Sequence, residues 1–206
     1  MYQVFFKRWF DVVLSLLGLI LLSPIFLILM VAIKLDDPGP VFFRQKRVGI
    51  HKSYFYILKF RTMSMNTPKD TPTHLLEHPE QYITRVGRLM RKTSLDELPQ
   101  VIQIFTGKMT VIGPRPALWN QYDLIEERDR YGANDMKPGL SGWAQINGRD
   151  ELSIEEKAQL DGEYASQISF LFDCKCFFGT IRKVFMREGV VEGGTGVQER
   201  ETVKRS

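Results

Sequence analysis

The segment Ser94-Leu95-Asp96-Glu97-Leu98-Pro99-Gln100 places two adjacent carboxylates just behind a basic run, Arg85, Arg88, Arg91 and Lys92. Arginines three residues apart drift slowly around one side of a helix and aim positive charge at one region. Ser94 with Glu97 three residues later fits a capping box, which would open a new helix here. Asp96 would then lie in its first turn, where the macrodipole and free N–H groups favour the ionised form. A carboxylate kept anionic among cations suits a nucleophile, or a magnesium ligand, for a phosphate substrate. The same spacing also serves an ordinary helix start with a solvated basic face, a reading that leaves the arginines unexplained.

A second constellation is Thr110-Val111-Ile112-Gly113-Pro114-Arg115-Pro116, a short apolar strand entering a rigid turn. Two prolines fix the backbone around one guanidinium, an arrangement that suits a phosphate or the edge of a base and equally a plain surface turn. Lys137-Pro138-Gly139 through Asn147-Gly148-Arg149 is a second Gly-rich loop, ending on arginine, whose glycines permit close approach to a ligand. Other chemistries lack residues. His51, His74 and His78 have no metal-ligand or triad spacing and read as surface groups. Cys174 and Cys176, one residue apart, make neither a disulfide nor a structural zinc site. No Walker or dinucleotide-binding glycine pattern occurs.

These residues need a scaffold, and its first element is apolar. Val12 to Ile33 is 22 residues without a charge. As a helix it reaches roughly 33 Å, enough to cross a hydrocarbon core. Ser23-Pro24 interrupts it near the middle, where proline removes one backbone hydrogen bond and the serine hydroxyl can satisfy the freed carbonyl. Lys7 and Arg8 precede the stretch, and Lys34, Arg44, Lys46, Arg47 and Lys52 follow it. Positive charge at both ends fits a re-entrant hairpin with both ends on the cytoplasmic side; a kinked crossing helix fits the length equally. Asp37-Pro38-Gly39-Pro40 then stops the helix. Val41-Phe43 and Tyr54-Leu58 read as a β-hairpin around a polar segment, basic and aromatic enough for a headgroup surface.

Further along, Asn66 to Pro79 reads as a loop, and Ile83, Val86, Leu89 and Met90 mark an apolar helix side leading to Asp96. A helix follows Pro99 and ends at Gly107. Glu155 to Tyr164 is a polar helix containing Asp161. From Phe170 aromatic and aliphatic residues alternate with Lys175, Arg182, Lys183 and Arg187, a basic amphipathic pattern for a membrane surface or for packing on the globular body. The tail from Gly189 is expected to be disordered. The chain has 28 Lys+Arg against 24 Asp+Glu, net +4, and 44% hydrophobic residues. That mild excess suits a membrane surface or phosphorylated ligands and argues against nucleic acid as a partner.

Together these segments resemble the small monotopic phosphoglycosyl transferases, the bacterial sugar transferases that start lipid-linked glycan assembly. The resemblance rests on Ser23-Pro24, Gly39-Pro40-Val41-Phe42-Phe43-Arg44-Gln45, Lys59-Phe60-Arg61-Thr62-Met63, the Ser94–Gln100 segment, Val111–Pro116, and Lys137-Pro138-Gly139 to Gly148-Arg149. It implies an α+β fold: a re-entrant membrane helix over residues 1–36 bent at Ser23-Pro24, a mostly helical catalytic domain over 37–188 with a β-hairpin and interfacial amphipathic helices, and a flexible tail over 189–206. It implies transfer of a phosphosugar from a UDP-sugar to polyprenol (undecaprenyl) phosphate at the bacterial inner membrane, facing the cytoplasm. UMP is released, Mg²⁺ is required, and downstream glycosyltransferases are further partners. Asp96 matches the family's nucleophile, which forms a covalent phosphosugar intermediate, and a ligand position for the metal; Glu97 completes the dyad. Pro114, Arg115 and Pro116 match the segment linked to the uridine nucleotide, and Lys59, Arg91, Arg149 and Asp161 match polar positions around the site. The rival readings are direct single-step transfer with Asp96 only holding Mg²⁺, and a non-catalytic membrane-surface scaffold. Two positions depart from the family: Lys108, where an acidic residue is usual, and Ala165, where a larger apolar residue is usual. The extra N-terminal membrane helices of larger members are not expected.

Overall fold

The first helix, α1 (Lys7–Asp36), carries the uncharged stretch and continues through Pro24. Thirty residues span about 45 Å. Lys7, Asp11 and Ser15, then Leu29 and Ile33, are its buried residues, and their four-residue steps place them on one stripe. The opposite side is bare and apolar: Ile20, Leu21, Leu27, Ile28 and Leu35 are all at least 60% exposed. The Ser23 hydroxyl donates to the Ile20 carbonyl at 2.8 Å, the acceptor that Pro24 leaves without its usual N–H, as the sequence led us to expect. Both ends of α1 are fastened to the same globular body. At the start, Lys7 Nζ lies 2.6 Å from Asp173 Oδ2, and Arg8 donates to the carbonyls of Ile104 and Phe105, both at 2.7 Å. At the end, Asp36 Oδ2 accepts from Val86 N–H at 2.8 Å, and Asp37 pairs with Arg61 at 2.7 Å.

The structure, a computed structural model, describes residues 2–67, 78–148 and 151–186; the expected tail, Arg149, His74 and most of the Asn66–Pro79 loop lie outside them. The predicted hairpin forms as β1 (Phe42–Val48) and β2 (Tyr54–Phe60), antiparallel, with Phe42 opposite Phe60 and Val48 opposite Tyr54. Phe60 stacks on Phe42 and packs with Leu29, Ile33 and Met90, which joins the hairpin to α1 and to α2 (Arg85–Thr93). The outer edge of β2 has no third strand among the described residues. There the Gln103 side chain accepts from Leu58 N–H at 2.8 Å and donates to the Tyr56 carbonyl at 2.7 Å. Gln103 belongs to α3 (Gln100–Phe105), whose Ile104 meets Ile57 and Met109.

Sequence reading found the strand β3 (Thr110–Ile112) but not its partner, β4 (Gly139–Ser141), which pairs with it in parallel. The two segments approach so closely that a Cβ on Gly139 would stand 2.2 Å from Gly113 N, so glycine here is a steric requirement. Among the described residues the body is completed by the α-helices α4 (Tyr122–Asp129), α5 (Trp143–Ile146), α6 (Ile154–Gln167) and α7 (Phe170–Met186). A full capping box opens α6, with the Ser153 side chain bonded to Glu156 N–H and Glu156 reaching back to Ser153 N–H. The amphipathic α7 buries Cys176 beside Ile112 and Tyr164 and leaves Phe170, Leu171 and Phe178 exposed. Packing on the body therefore accounts for one side of α7 and leaves an apolar side unaccounted for.

Candidate active site

The Ser94–Gln100 segment is not the helix start its spacing suggested. Ser94 terminates α2 in the left-handed conformation (φ 55°), and its side chain makes no capping bond. Leu95–Glu97 is a single 3₁₀ turn, and α3 begins only after Pro99. Tertiary charge overrides the capping box: the Glu97 carboxylate turns away from Ser94 towards two cations. Its Oε1 accepts from Lys59 Nζ at 2.8 Å and from Arg115 Nη2 at 2.6 Å, and its Oε2 lies 3.4 Å from Arg115 Nη1. Lys59 comes from β2 and Arg115 from the Pro114-Arg115-Pro116 turn after β3, so three distant segments meet on one carboxylate.

Asp96 is the complementary case. Its side chain is 14% exposed, its nearest cation is Lys59 at 4.0 Å, and it makes no hydrogen bond among the described residues. The two carboxyls are driven apart electrostatically. Burial raises the Asp96 carboxyl above its ordinary value, with Glu97 adding to the effect and Lys59, Arg91 and Arg115 opposing it. This corrects the expectation that a helix dipole favours the ionised form of Asp96: the segment is a single 3₁₀ turn, and burial outweighs the neighbouring cations in setting the carboxyl. Burial also presses on Glu97, but Arg115 and Lys59 overcome it and hold the carboxyl well below the carboxylate range.

Of the basic run, Arg85, Arg88 and Lys92 are exposed. Arg91 turns inward, its Nε donating to Thr62 Oγ1 at 2.9 Å. That contact depends on Gly87, where a Cβ would stand 2.2 Å from the Thr62 carbonyl oxygen. Lys108 is exposed and forms no ion pair among the described residues. Asp161 does not join the dyad. It is 1% exposed and bound by Arg128, whose Nε donates to Oδ2 at 2.9 Å. Arg128 in turn lines a small cavity with Gly49, Pro114, Arg115, Pro116 and Asn134, so Asp161 reaches that cavity only through Arg128. Sequence reading missed both Arg128 and Asn134; each sits on an otherwise unremarkable polar stretch. Arg149 lies outside the described residues.

Comparison with known proteins gives a family and named relatives. The Bacterial sugar transferase family model matches residues 2–187. A Bacillus subtilis (strain 168) protein named as an uncharacterized sugar transferase, EpsL, is 39% identical over 196 residues, covering 95% of each chain. The UDP-glucose:undecaprenyl-phosphate glucose-1-phosphate transferase of Escherichia coli (strain K12) is 40% identical over 88% of this chain, which spans 40% of that protein. An Aeromonas hydrophila protein named for N-acetylgalactosamine phosphate transfer to undecaprenyl phosphate is 35% identical over 87% of this chain and 44% of its own length.

Proposed function

This chain belongs to the bacterial sugar transferase family, and from that premise we propose that it transfers a sugar phosphate from a UDP-sugar to polyprenol phosphate through a covalent intermediate on Asp96. The observation that carries the reading is the opposed state of two neighbouring carboxyls. Glu97 is engaged by Lys59 and Arg115 at hydrogen-bonding distance, whereas Asp96, 4.0 Å from Lys59, makes no hydrogen bond among the described residues inside the same cation cluster. In the first step an Asp96 carboxylate oxygen bonds to the β-phosphorus, the bond from that phosphorus to the bridging oxygen breaks, and UMP leaves with the electron pair. In the second, an oxygen of the polyprenol phosphate attacks the same phosphorus and releases Asp96. Lys59, Arg91 and Arg115 offset the repulsion between the carboxylate and the diphosphate. Glu97 holds Lys59 and Arg115 in place.

A magnesium ion fits this site. Asp96 offers a carboxylate without a hydrogen-bonded partner, and no group of three metal-ligating side chains occurs among the described residues. The ion would therefore draw its remaining ligands from phosphate and water, as magnesium commonly does. When bound, it would neutralise charge on the diphosphate.

The membrane reading rests on α1. One body anchors Lys7 and Arg8 at one end and Asp36 and Asp37 at the other. Because one folded body holds both ends of α1, we read the helix as entering and leaving the bilayer on one side, the attachment of both ends supporting that reading. Basic residues at both flanks favour the cytoplasm as that side, with residues 37–188 as the proposed catalytic domain there. The bare sides of α1 and α7 then face lipid. They adjoin where Phe10 stacks on Phe170 at 5.3 Å.

The test is intact-protein mass after mixing with Mg²⁺ and a panel of UDP-sugars, without acceptor. A gain of one sugar phosphate, absent in Asp96→Asn, is expected. Product formation with polyprenol phosphate but no adduct would overturn the Asp96 intermediate in favour of direct transfer. No UMP from any donor would leave a scaffold.

A further inference from the structure

Asp11 lies one turn into α1, at the border of the uncharged stretch, and is only 4% exposed. Its Oδ1 accepts two hydrogen bonds from β3: the backbone N–H of Val111 at 2.8 Å and the hydroxyl of Thr110 at 2.9 Å. The edges of β3 explain why this matters. Thr110 N–H donates to the Pro138 carbonyl and Gly113 N–H to the Ser141 carbonyl, so one edge of β3 is completed by β4 and its neighbour. Val111 N–H points to the other edge, where no strand lies among the described residues. A buried N–H without an acceptor is costly, and Asp11 supplies that acceptor from a different element.

Three residues after β3 ends, the chain presents Arg115 to Glu97 at 2.6 Å. A three-residue, two-stranded parallel sheet is a weak platform for such a contact. We propose that Asp11 is a positioning residue: through Val111 and Thr110 it fixes β3 against α1, and so ties the seating of the apolar helix to the Arg115–Glu97–Lys59 cluster beside Asp96. This rests on the function proposed above in taking that cluster to serve Asp96.

Two variants separate the roles. Asp11→Asn keeps an oxygen able to accept both bonds; Asp11→Leu removes it at similar volume. In full-length protein in detergent, well below the melting temperature, kcat for UMP release falls about 30-fold or more in Asp11→Leu, with kcat/KM falling in proportion, while Asp11→Asn stays within about threefold of wild type. Hydrogen exchange gives a reading independent of activity: the amides of Thr110–Gly113 and Arg115 exchange at least tenfold faster in Asp11→Leu, and those of β1 and β2 are unchanged. Thr110→Val removes one donor only and is expected to lower kcat three- to tenfold if Asp11→Leu does not fold. Unaltered kcat and unaltered exchange of the Thr110–Gly113 and Arg115 amides in a folded Asp11→Leu, an Asp11→Asn as impaired as the leucine variant, or an unaltered Thr110→Val would overturn the proposal. Wild-type protein that releases no UMP counts against the proposed function, and the exchange experiment still decides the coupling.

Discussion

Replacing Lys59 by Met removes the one ammonium shared by both carboxylates and keeps most of the side chain's volume. Its Nζ stands 2.8 Å from Glu97 and 4.0 Å from Asp96. Glu97 retains Arg115 at 2.6 Å, so the folded state loses one charged hydrogen bond, about 1.5–3 kcal/mol. For a chain of this size that lowers the melting temperature by roughly 3–12 °C. Asp96 fares worse, since Lys59 is its nearest cation and the first of the groups opposing the effect of burial. A unit charge pair at that distance is worth about 4 kcal/mol at an effective dielectric of 20. Loss of one preorganised charge from a transition state costs about 2.7–4 kcal/mol, or 10²–10³ in kcat. The Asp96 carboxyl, already raised, rises further, so the acidic limb of the pH profile moves to higher pH. UMP release across pH, with Tm recorded in the same detergent, reads all three effects. A kcat within threefold of wild type and an unmoved acidic limb would refute the reasoning.

Stability near the dyad has a predictable pH dependence. Glu97 is held below its unfolded value of 4.5, so its contribution is present above that pH and is lost as pH falls through the folded value; urea titrations from pH 3 to 7 should show this limb vanish in Glu97→Gln. Asp96 has the opposite sign: a raised carboxyl stabilises at low pH and that contribution is lost as pH rises, so Asp96→Asn should be more stable than wild type at pH 7. In α1, Ser23→Ala should destabilise by about 1 kcal/mol in wild type and by almost nothing in a Pro24→Ala background, where residue 24 regains an N–H for Ile20; equal effects in both would disprove the Ser23 compensation. Arg128→Met strands the buried Asp161 carboxylate and should cost about 3–5 kcal/mol, whereas Arg128→Met with Asp161→Leu recovers most of it, by thermal melting.

What could be read in the sequence was local or compositional. The Val12–Ile33 stretch needed only its lack of charge, the Ser23-Pro24 compensation only the missing N–H of proline, and the hairpin only two aromatic, β-rich runs around Gly49. The misreadings came where a distant partner outweighs local preference. At Ser94 and Ser153 the same S-x-x-E pattern occurs, yet only Ser153 caps a helix. Glu156 faces solvent and is available to its own backbone, whereas Glu97 is buried against Lys59 and Arg115, which sit 38 and 18 residues away. Arg85, Arg88 and Arg91 were equivalent by spacing; Gly87, by bringing α2 onto Thr62, decides that Arg91 is the one turned inward. The pairing of β3 with β4 had no local signature, because a parallel ladder between segments almost 30 residues apart leaves no turn to read.

The Gln103 amide that completes β2 also bears on how copies of this protein behave together. Molecules held at a bilayer share one orientation and one plane, so an open strand edge on one faces similar edges on its neighbours at high local concentration. A bare edge of this kind is a template for strand addition between chains. Gln103 occupies the Leu58 N–H and the Tyr56 carbonyl from within the chain, so these two groups are not offered to a neighbouring chain. A single carboxamide thus stands in for a third strand at the two backbone groups that a neighbouring strand would otherwise take.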